Sequence, residues 1–406
     1  MATQPQPQLN QPNTGPPRRM NIHPTAHSAF FSMLVKCTSH IRTVYTMFVA
    51  CVLSDMHYKS KVFIDPSCRI LYSSFYIQGL YNEFGKENVS FSTKYFKELK
   101  RKQESHSYDH YMAFVVIIPD NSTTKIIIDF RDKPSVKESA YEWSDKYAKI
   151  NFNINLTDKR FHDKMISIPP GFGIKIWNIW ETAYYCCLNY IRCKSSPLVI
   201  LKSHLADYYS QYKRPLLEDY LIANTDNRHS TYTKPYVFMI GTLWTHKNCI
   251  EGTNIQRKTF IELCKTLNCN FEGGFSASVN HPQYAEFKDL IFSKQYPVES
   301  YIKKTKLSAF VFNTPAVHNC QGWKLGEYLI MGKAIISTPL LNKLPEELVH
   351  GKNIHFVSNA DELKFAIKLL STDKSYRKLL EDGAKTYYSK YVDPKSVIEN
   401  ILRNYN

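Results

Sequence analysis

A glycine, a tryptophan and a lysine in a row, Gly322-Trp323-Lys324, followed within a turn by Glu327, are residues that together could hold a phosphorylated ligand. Trp323, Leu325, Tyr328 and Leu329 fall at helical spacing, so Gly322 sits where a helix begins. The first N–H groups of a helix lack intrahelical acceptors and carry partial positive charge, which suits a diphosphate. A carboxylate at Glu327 could accept two hydrogen bonds from the vicinal hydroxyls of a ribose; the same spacing also fits a carboxylate on a solvated helix face. A second acidic pair, Asp129 and Asp132, leaves the carboxyl end of an apolar run. A crevice there can raise a carboxylate's pKa toward that of a general base for an acceptor hydroxyl. Salt bridges to Arg131 or Lys133 are the other use for the pair.

These side chains need a scaffold. Ala309–Asn313 and Ala334–Ser337 are short apolar runs that predict buried parallel strands on either side of a helix Trp323–Met331, with Gly332 as its C-terminal cap. In such a right-handed unit ligands bind beyond the carboxyl ends of the strands, which puts the loop Thr314–Gly322 at the crevice. Tyr236–Gly241 predicts the opening strand of the same sheet. Asn270–Phe275 predicts another, entering a Gly273-Gly274 turn where backbone could approach a nucleotide base.

Earlier in the chain, strands are predicted at Lys61–Asp65, Asn88–Ser92, Tyr111–Pro119, Thr124–Phe130, Lys149–Ile154 and Lys164–Ile168, with a helix over Ser74–Phe84 and a turn at Asp120-Asn121. That alternation predicts a second doubly wound sheet, hence an α/β protein with two Rossmann-like domains. Pro169-Pro170-Gly171-Phe172-Gly173 reads as a rigid turn, and Ile174–Asp226 as aromatic helices that pack rather than bind. Ser358-x-x-Asp361 and Asp393-Pro394 predict the starts of two C-terminal helices.

A chain of 406 residues is too long for one ordinary core. The boundaries fall at 1–57 (a Gln- and Pro-rich tail plus the apolar Ala29–Leu53), 58–226, a polar linker Asn224–Lys234, and 235–406. Lys36, His40 and Arg42 interrupt Ala29–Leu53, which reads as an ordinary or interfacial helix rather than a spanning one. With 52 Lys and Arg against 36 Asp and Glu, the net charge of +16 predicts an anionic partner: a phosphorylated substrate or an anionic membrane surface. No Lys/Arg block or zinc-finger spacing is present, so nucleic acid is not expected. The ten cysteines show neither metal-ligand nor disulfide spacing and read as thiols in a reducing compartment.

The run Lys-Leu-Gly-Glu-Tyr-Leu-Ile-Met-Gly-Lys-Ala-Ile-Ile-Ser-Thr from Lys324, with the helical segments that follow it to the C-terminus, resembles the nucleotide-sugar half of GT-B glycosyltransferases, above all the retaining family 4. In that family the Glu of E-A-x-A-x-G-x-P-V-I holds the ribose, and Glu327 occupies its place. The family's other acidic residue, eight positions earlier, is replaced here by Asn319. The resemblance implies two domains facing across a cleft, with transfer of a sugar from a nucleotide-diphosphate sugar to the hydroxyl of a glycan, lipid-linked or polysaccharide acceptor. It further implies that Lys247 and Arg257 contact the donor phosphates, with Lys258 able to replace either, beside Gly322, Trp323, Lys324 and Asn319. The nucleotide sugar is a co-substrate; no resident cofactor or metal is expected, and the location is cytoplasmic or membrane-associated. A sugar-nucleotide epimerase and a non-catalytic binding protein of the same fold are the alternatives, the latter because of Asn319.

Overall fold

The structure is a computed structural model and describes residues 60–101, 111–194, 199–221 and 234–403. The tail, the Ala29–Leu53 segment and nearly all of the predicted linker lie outside the described residues. Lys59–Asn406 pack as one compact unit that holds both predicted halves.

The first half carries a sheet of β1 (Lys61–Ile64), β2 (Val89–Phe91), β3 (Tyr111–Ile117), β4 (Thr123–Asp129), β5 (Lys146–Lys149) and β6 (Met165–Ser167), in the order β2-β1-β3-β4-β5-β6. The pairs β1–β2, β4–β5 and β5–β6 are parallel, whereas β3 runs antiparallel to both its neighbours. The sheet therefore departs from the expected doubly wound pattern at β3. The cause is local: Asn121 takes a left-handed φ of 67°, the Asp120 carboxylate accepts from the Ser122 N–H at 2.7 Å, and so short a turn can only return the chain antiparallel. The strand expected at Lys149–Ile154 ends at Lys149, because Asn151 and Asn153 turn out to bond loops of the other half. Helices α1 (Ile70–Phe84), α2 (Glu138–Trp143), α3 (Ile179–Cys193) and α4 (Leu201–Tyr212) complete this half.

In the second half, β7 (Tyr236–Thr242) pairs in parallel with β8 (Asn270–Ser276), and β10 (Ile335–Ser337) lies between β9 (Val311–Asn313) and β11 (His355–Phe356), all parallel. Ala309, just before β9, donates to the Tyr236 carbonyl at 2.8 Å, so β9 starts beside the start of β7 and the spatial order is β8-β7-β9-β10-β11. The helices are α5 (Asn254–Thr266), α6 (Tyr284–Phe287), α7 (Val298–Leu307), α8 (Trp323–Ile330), α9 (Ala360–Thr372), α10 (Lys374–Tyr387) and α11 (Pro394–Arg403). Phe260 of α5 stacks on Phe312 of β9 at 4.6 Å; burying such a ring stabilises by roughly 1.5–3 kcal/mol.

Punctuation explains the helix ends. Gly332 follows α8 at φ 53°, as its sequence position predicts. Asp393 caps α11 by accepting from the Lys395 N–H at 3.0 Å. The cap of α9 is Asn359, one residue beyond the expected Ser358: its side chain accepts from the Glu362 N–H while Glu362 reaches back to the Ser358 N–H. α11 returns to the first half and lies against α1, where a Cβ on Gly79 would come within 2.2 Å of the Pro394 carbonyl oxygen.

Candidate functional site

From β7 the chain builds outward in two directions, to β8 on one side and to β9, β10 and β11 on the other. The crevice beyond the carboxyl ends of β7 and β9 is thus the topological switch point, the place where open α/β sheets receive ligands. A pocket of about 170 Å³ lies there, lined by Thr242 and Trp244 after β7, Asn313 and Thr314 at the end of β9, Arg257 of α5, and Gly322, Trp323 and Lys324 at the start of α8. Gly322 is the N-cap and supplies no capping side chain, and a Cβ placed on it would meet nothing within 4 Å. The helix start therefore opens onto free space with the Trp323 and Lys324 amides lacking intrahelical acceptors.

Two cations face this pocket. Arg257 is buried, donating from Nε to Thr314 Oγ1 at 2.9 Å and from Nη1 to the Thr242 carbonyl at 3.3 Å. Gly241 makes room for it, since a Cβ there would sit 3.2 Å from Nη1. The Lys324 ammonium donates to the Ile240 carbonyl. Burial and the neighbouring Arg257 push its pKa down to about 7, against the pull of Glu327. Burial likewise lowers the pKa of Arg257. Among the described residues neither cation forms a salt bridge to a carboxylate. Two cations beside a helix start, Arg257 buried and Lys324 half-buried, neither in a salt bridge to a carboxylate, make a site for an anion with more than one charge.

Glu327 is buried rather than solvated. Its Oε1 lies 3.5 Å from Arg214 Nη2, and Oε2 accepts from the Tyr301 hydroxyl at 3.2 Å. Burial raises its pKa, partly offset by the charges of Arg214 and Lys324. Arg214 belongs to the first half. It also donates to the Gly173 carbonyl at 2.9 Å and lies 5.5 Å from the Trp323 ring, joining the Pro169–Gly173 turn to the start of α8. The turn itself is wedged between α1 and α8: Cβ atoms on Gly171, Gly173 and Gly326 would strike Tyr76, Leu71 and the Pro170 carbonyl.

A chain of amides closes the cleft. Asn151, after β5, accepts from the Gln321 N–H at 2.8 Å and from Asn342 Nδ2 at 3.2 Å. Asn342 Nδ2 donates to the Asn319 carbonyl at 3.0 Å, and the Asn319 side chain accepts from Asn248 at 3.0 Å. Asn319, at a left-handed φ of 58°, is thereby fixed in the loop that leads to α8. Asp132 stays exposed at the mouth, near His318, whose ring meets that of His246 edge-on at 4.3 Å; burial of the Cys320 thiol, with the Asp132 charge, pushes that thiol's pKa up.

Other expected residues sit elsewhere. Asp129 is fully buried and saturated: Arg131 donates from Nε and Nη2 at 3.0 and 2.7 Å, Tyr147 at 2.7 Å and Lys149 at 3.0 Å. Although burial alone would raise its pKa, the Lys149 and Arg131 charges hold it well below the carboxylate range. Asp129 is thus an ion-pair hub, its oxygens occupied by donors and its basicity low, which leaves Asp132 as the more accessible of the two carboxylates. Lys247 points into solvent, 3.9 Å from Glu251 one turn on, and does not line the pocket; Lys258 faces Glu286 at the same distance. A Cβ on Gly273 would be 2.0 Å from the Met239 carbonyl oxygen and one on Gly274 2.3 Å from the Leu290 carbonyl oxygen, so these glycines let β8 pack closely against β7 on one side and Leu290 on the other. Sequence reading did not single out Arg214 or Tyr301, whose roles come from partners distant in the chain.

A larger cavity, about 730 Å³, lies between β6, Lys343–Pro345 and α11. Its Lys146 and Lys164 already bond main-chain carbonyls at the ends of α11 and α2. Among the described residues no group of His, Cys, Asp and Glu could hold a metal ion, every cysteine is a free thiol, and no helix is long and apolar enough to cross a membrane.

Fold and site together define a class: two helix-flanked, mostly parallel α/β sheets whose carboxyl-end loops face one another across a cleft, the GT-B architecture. No family model matches the chain, and no curated protein matches it. Solved structures to which it is similar include a glycosyltransferase from Rickettsia africae (13% identical, 68% of this chain and 71% of that one covered, TM-score 0.37). HepE from Anabaena in complex with UDP is another (10%, 68% and 78%, TM-score 0.38). A third is the C-terminal domain of LpcC, a glycosyl transferase group 1 family protein from Francisella tularensis (12%, 44% and 97%, TM-score 0.30).

Proposed function

We propose that the protein is a glycosyltransferase that binds a nucleotide-diphosphate sugar at the switch point of its second sheet and transfers the sugar to an acceptor hydroxyl presented from the first. The observation that carries this reading is the pair Arg257, buried, and Lys324, half-buried, neither in a salt bridge to a carboxylate, at the open start of α8. A diphosphate placed there would meet a guanidinium, an ammonium and helix-end N–H groups, the charges needed to stabilise it as a leaving group. Glu327 lies further along the same helix, positioned by Arg214 and Tyr301, and is assigned to the ribose hydroxyls. Asp132, at the mouth of the facing sheet, is the more accessible carboxylate to receive an acceptor proton, since Asp129 is held in its ion pairs. Domain boundaries near residues 226 and 235, a glycan or lipid-linked acceptor and a cytoplasmic location belong to the same proposal; the free thiols suit a reducing compartment.

The test is thermal unfolding with UDP-, GDP- and ADP-sugars. A true donor at one hundred times its dissociation constant stabilises the fold by about 2.7 kcal/mol. No shift with any of them, at concentrations where inorganic diphosphate does protect, would leave an anion site without a nucleotide.

A further inference from the structure

The pair α3 and α4 turns an apolar face outward that the cleft does not use. The core sides of the two helices are Thr182, Cys186, Asn189 and Cys193 on α3, and His204, Asp207, Tyr208 and Gln211 on α4. Outside those core sides run Trp180, Tyr184 and Ile191, and Leu201, Leu205 and Tyr209, at helical spacing and 46–81% exposed, with Trp180 the most open. The two helices are joined on their core sides, Asn189 donating to the Tyr208 hydroxyl at 2.9 Å and His204 bonding the Cys186 carbonyl at 2.9 Å, and exposed apolar residues grouped on such a pair mark a docking face.

Charge says what docks. Lys194, Lys202 and Lys213 are exposed on or just beyond the same helices. The acids of the pair are already engaged: Glu181 caps α3 and meets Lys86, and Asp207 is buried against Arg69 and the Ile70 N–H. Glu218 and Asp219 lie beyond, on the following turn. Indole and phenol rings flanked by long lysine stems, with no free acid among them, fit the headgroup boundary of an anionic bilayer, where rings sit at the interface and ammonium groups reach the phosphates. We infer that α3 and α4 form the face by which the protein rests on an anionic membrane. The inference does not depend on the transferase reading.

The experiment is co-sedimentation of the full chain with phosphatidylcholine vesicles, with and without phosphatidylglycerol, at low and high salt. The wild type should sediment with the anionic vesicles at low salt and be released by high salt. A Trp180→Ser, Tyr184→Ser, Tyr209→Ser variant should lose binding at least about tenfold, and each of Lys194→Glu, Lys202→Glu and Lys213→Glu should weaken it by about fivefold or more. Because all six positions are exposed, unchanged thermal unfolding establishes that the variants are folded. Equal sedimentation of wild type and triple variant, or no sedimentation of the wild type at low salt, overturns the inference. Self-association removed by the triple substitution, with vesicles ignored, also overturns it by assigning the face to a second copy.

Discussion

Arg214 and Glu327 come from opposite halves of the chain and meet with 3.5 Å between Nη2 and Oε1, directly beside the Trp323 ring that opens α8. The carboxylate assigned to the nucleotide is thus held from across the cleft, and the order of the site depends on the docking of the two halves.

Glu327→Gln removes a charged acceptor and almost no volume. Nucleotide binding should weaken by about tenfold, in line with the roughly 1.5 kcal/mol of a hydrogen bond to a charged group, and the unfolding midpoint should fall as well, because Arg214 loses its counter-charge while the fold is kept. Calorimetry that finds equal affinity in both proteins would show that Glu327 serves Arg214 alone.

Asp129→Asn leaves Lys149 and Arg131 buried without their counter-charge, so stability should fall by about 3–5 kcal/mol in denaturant unfolding. Because the folded pKa of Asp129 lies below its unfolded value, its contribution is complete above the ordinary carboxylate range and is lost as pH falls through the lowered pKa. A variant of wild-type stability but no activity would return Asp129 to the chemistry.

Lys324 gives a pH signature. Its folded pKa of about 7 lies below the 10.5 of a free lysine, so the unfolded chain holds a proton the native state has lost, and stability rises with pH between those values. A bound diphosphate favours the charged ammonium. Nucleotide binding near pH 8 should therefore take up a proton, seen as a dependence of the calorimetric enthalpy on buffer ionisation, and Lys324→Met should abolish it. Equal enthalpies in all buffers for the wild type would place Lys324 away from the phosphates.

Gly79→Ala puts a methyl group into the Pro394 carbonyl oxygen, which belongs to backbone and has little freedom to give. The contact of α1 with α11 should open at a cost of at least about 1–3 kcal/mol. Wild-type stability would mean that α11 contributes little to joining the halves.

Much of the fold was legible because its signals are local: continuous apolar, β-branched runs for β3 and β4, the helical stripe of α8, and the glycine and Asp-Pro punctuation at Gly332 and Asp393. The reversal of β3 lay in the turn Asp120-Asn121, which the sequence showed but the alternation of elements obscured. The site was legible only in part. Gly322, Trp323, Lys324 and Arg257 converge because one βα unit and one helix bring them together. Lys247 looked equivalent to Arg257 in sequence; only the direction of its helical turn separates a buried guanidinium from a solvated ammonium. Asp129 resembled Asp132 for the same reason, until Lys149 and Tyr147 closed around it from the neighbouring strand.

The most direct measurement is isothermal titration of UDP, GDP and ADP into the wild type, Arg257→Ala and Lys247→Ala. The anion site at the switch point predicts that one of these nucleotides binds the wild type, that Arg257→Ala weakens it by about 10–150-fold, equivalent to roughly 1.5–3 kcal/mol, and that Lys247→Ala leaves it unchanged. Undiminished binding in Arg257→Ala, or a loss confined to Lys247→Ala, would contradict the account.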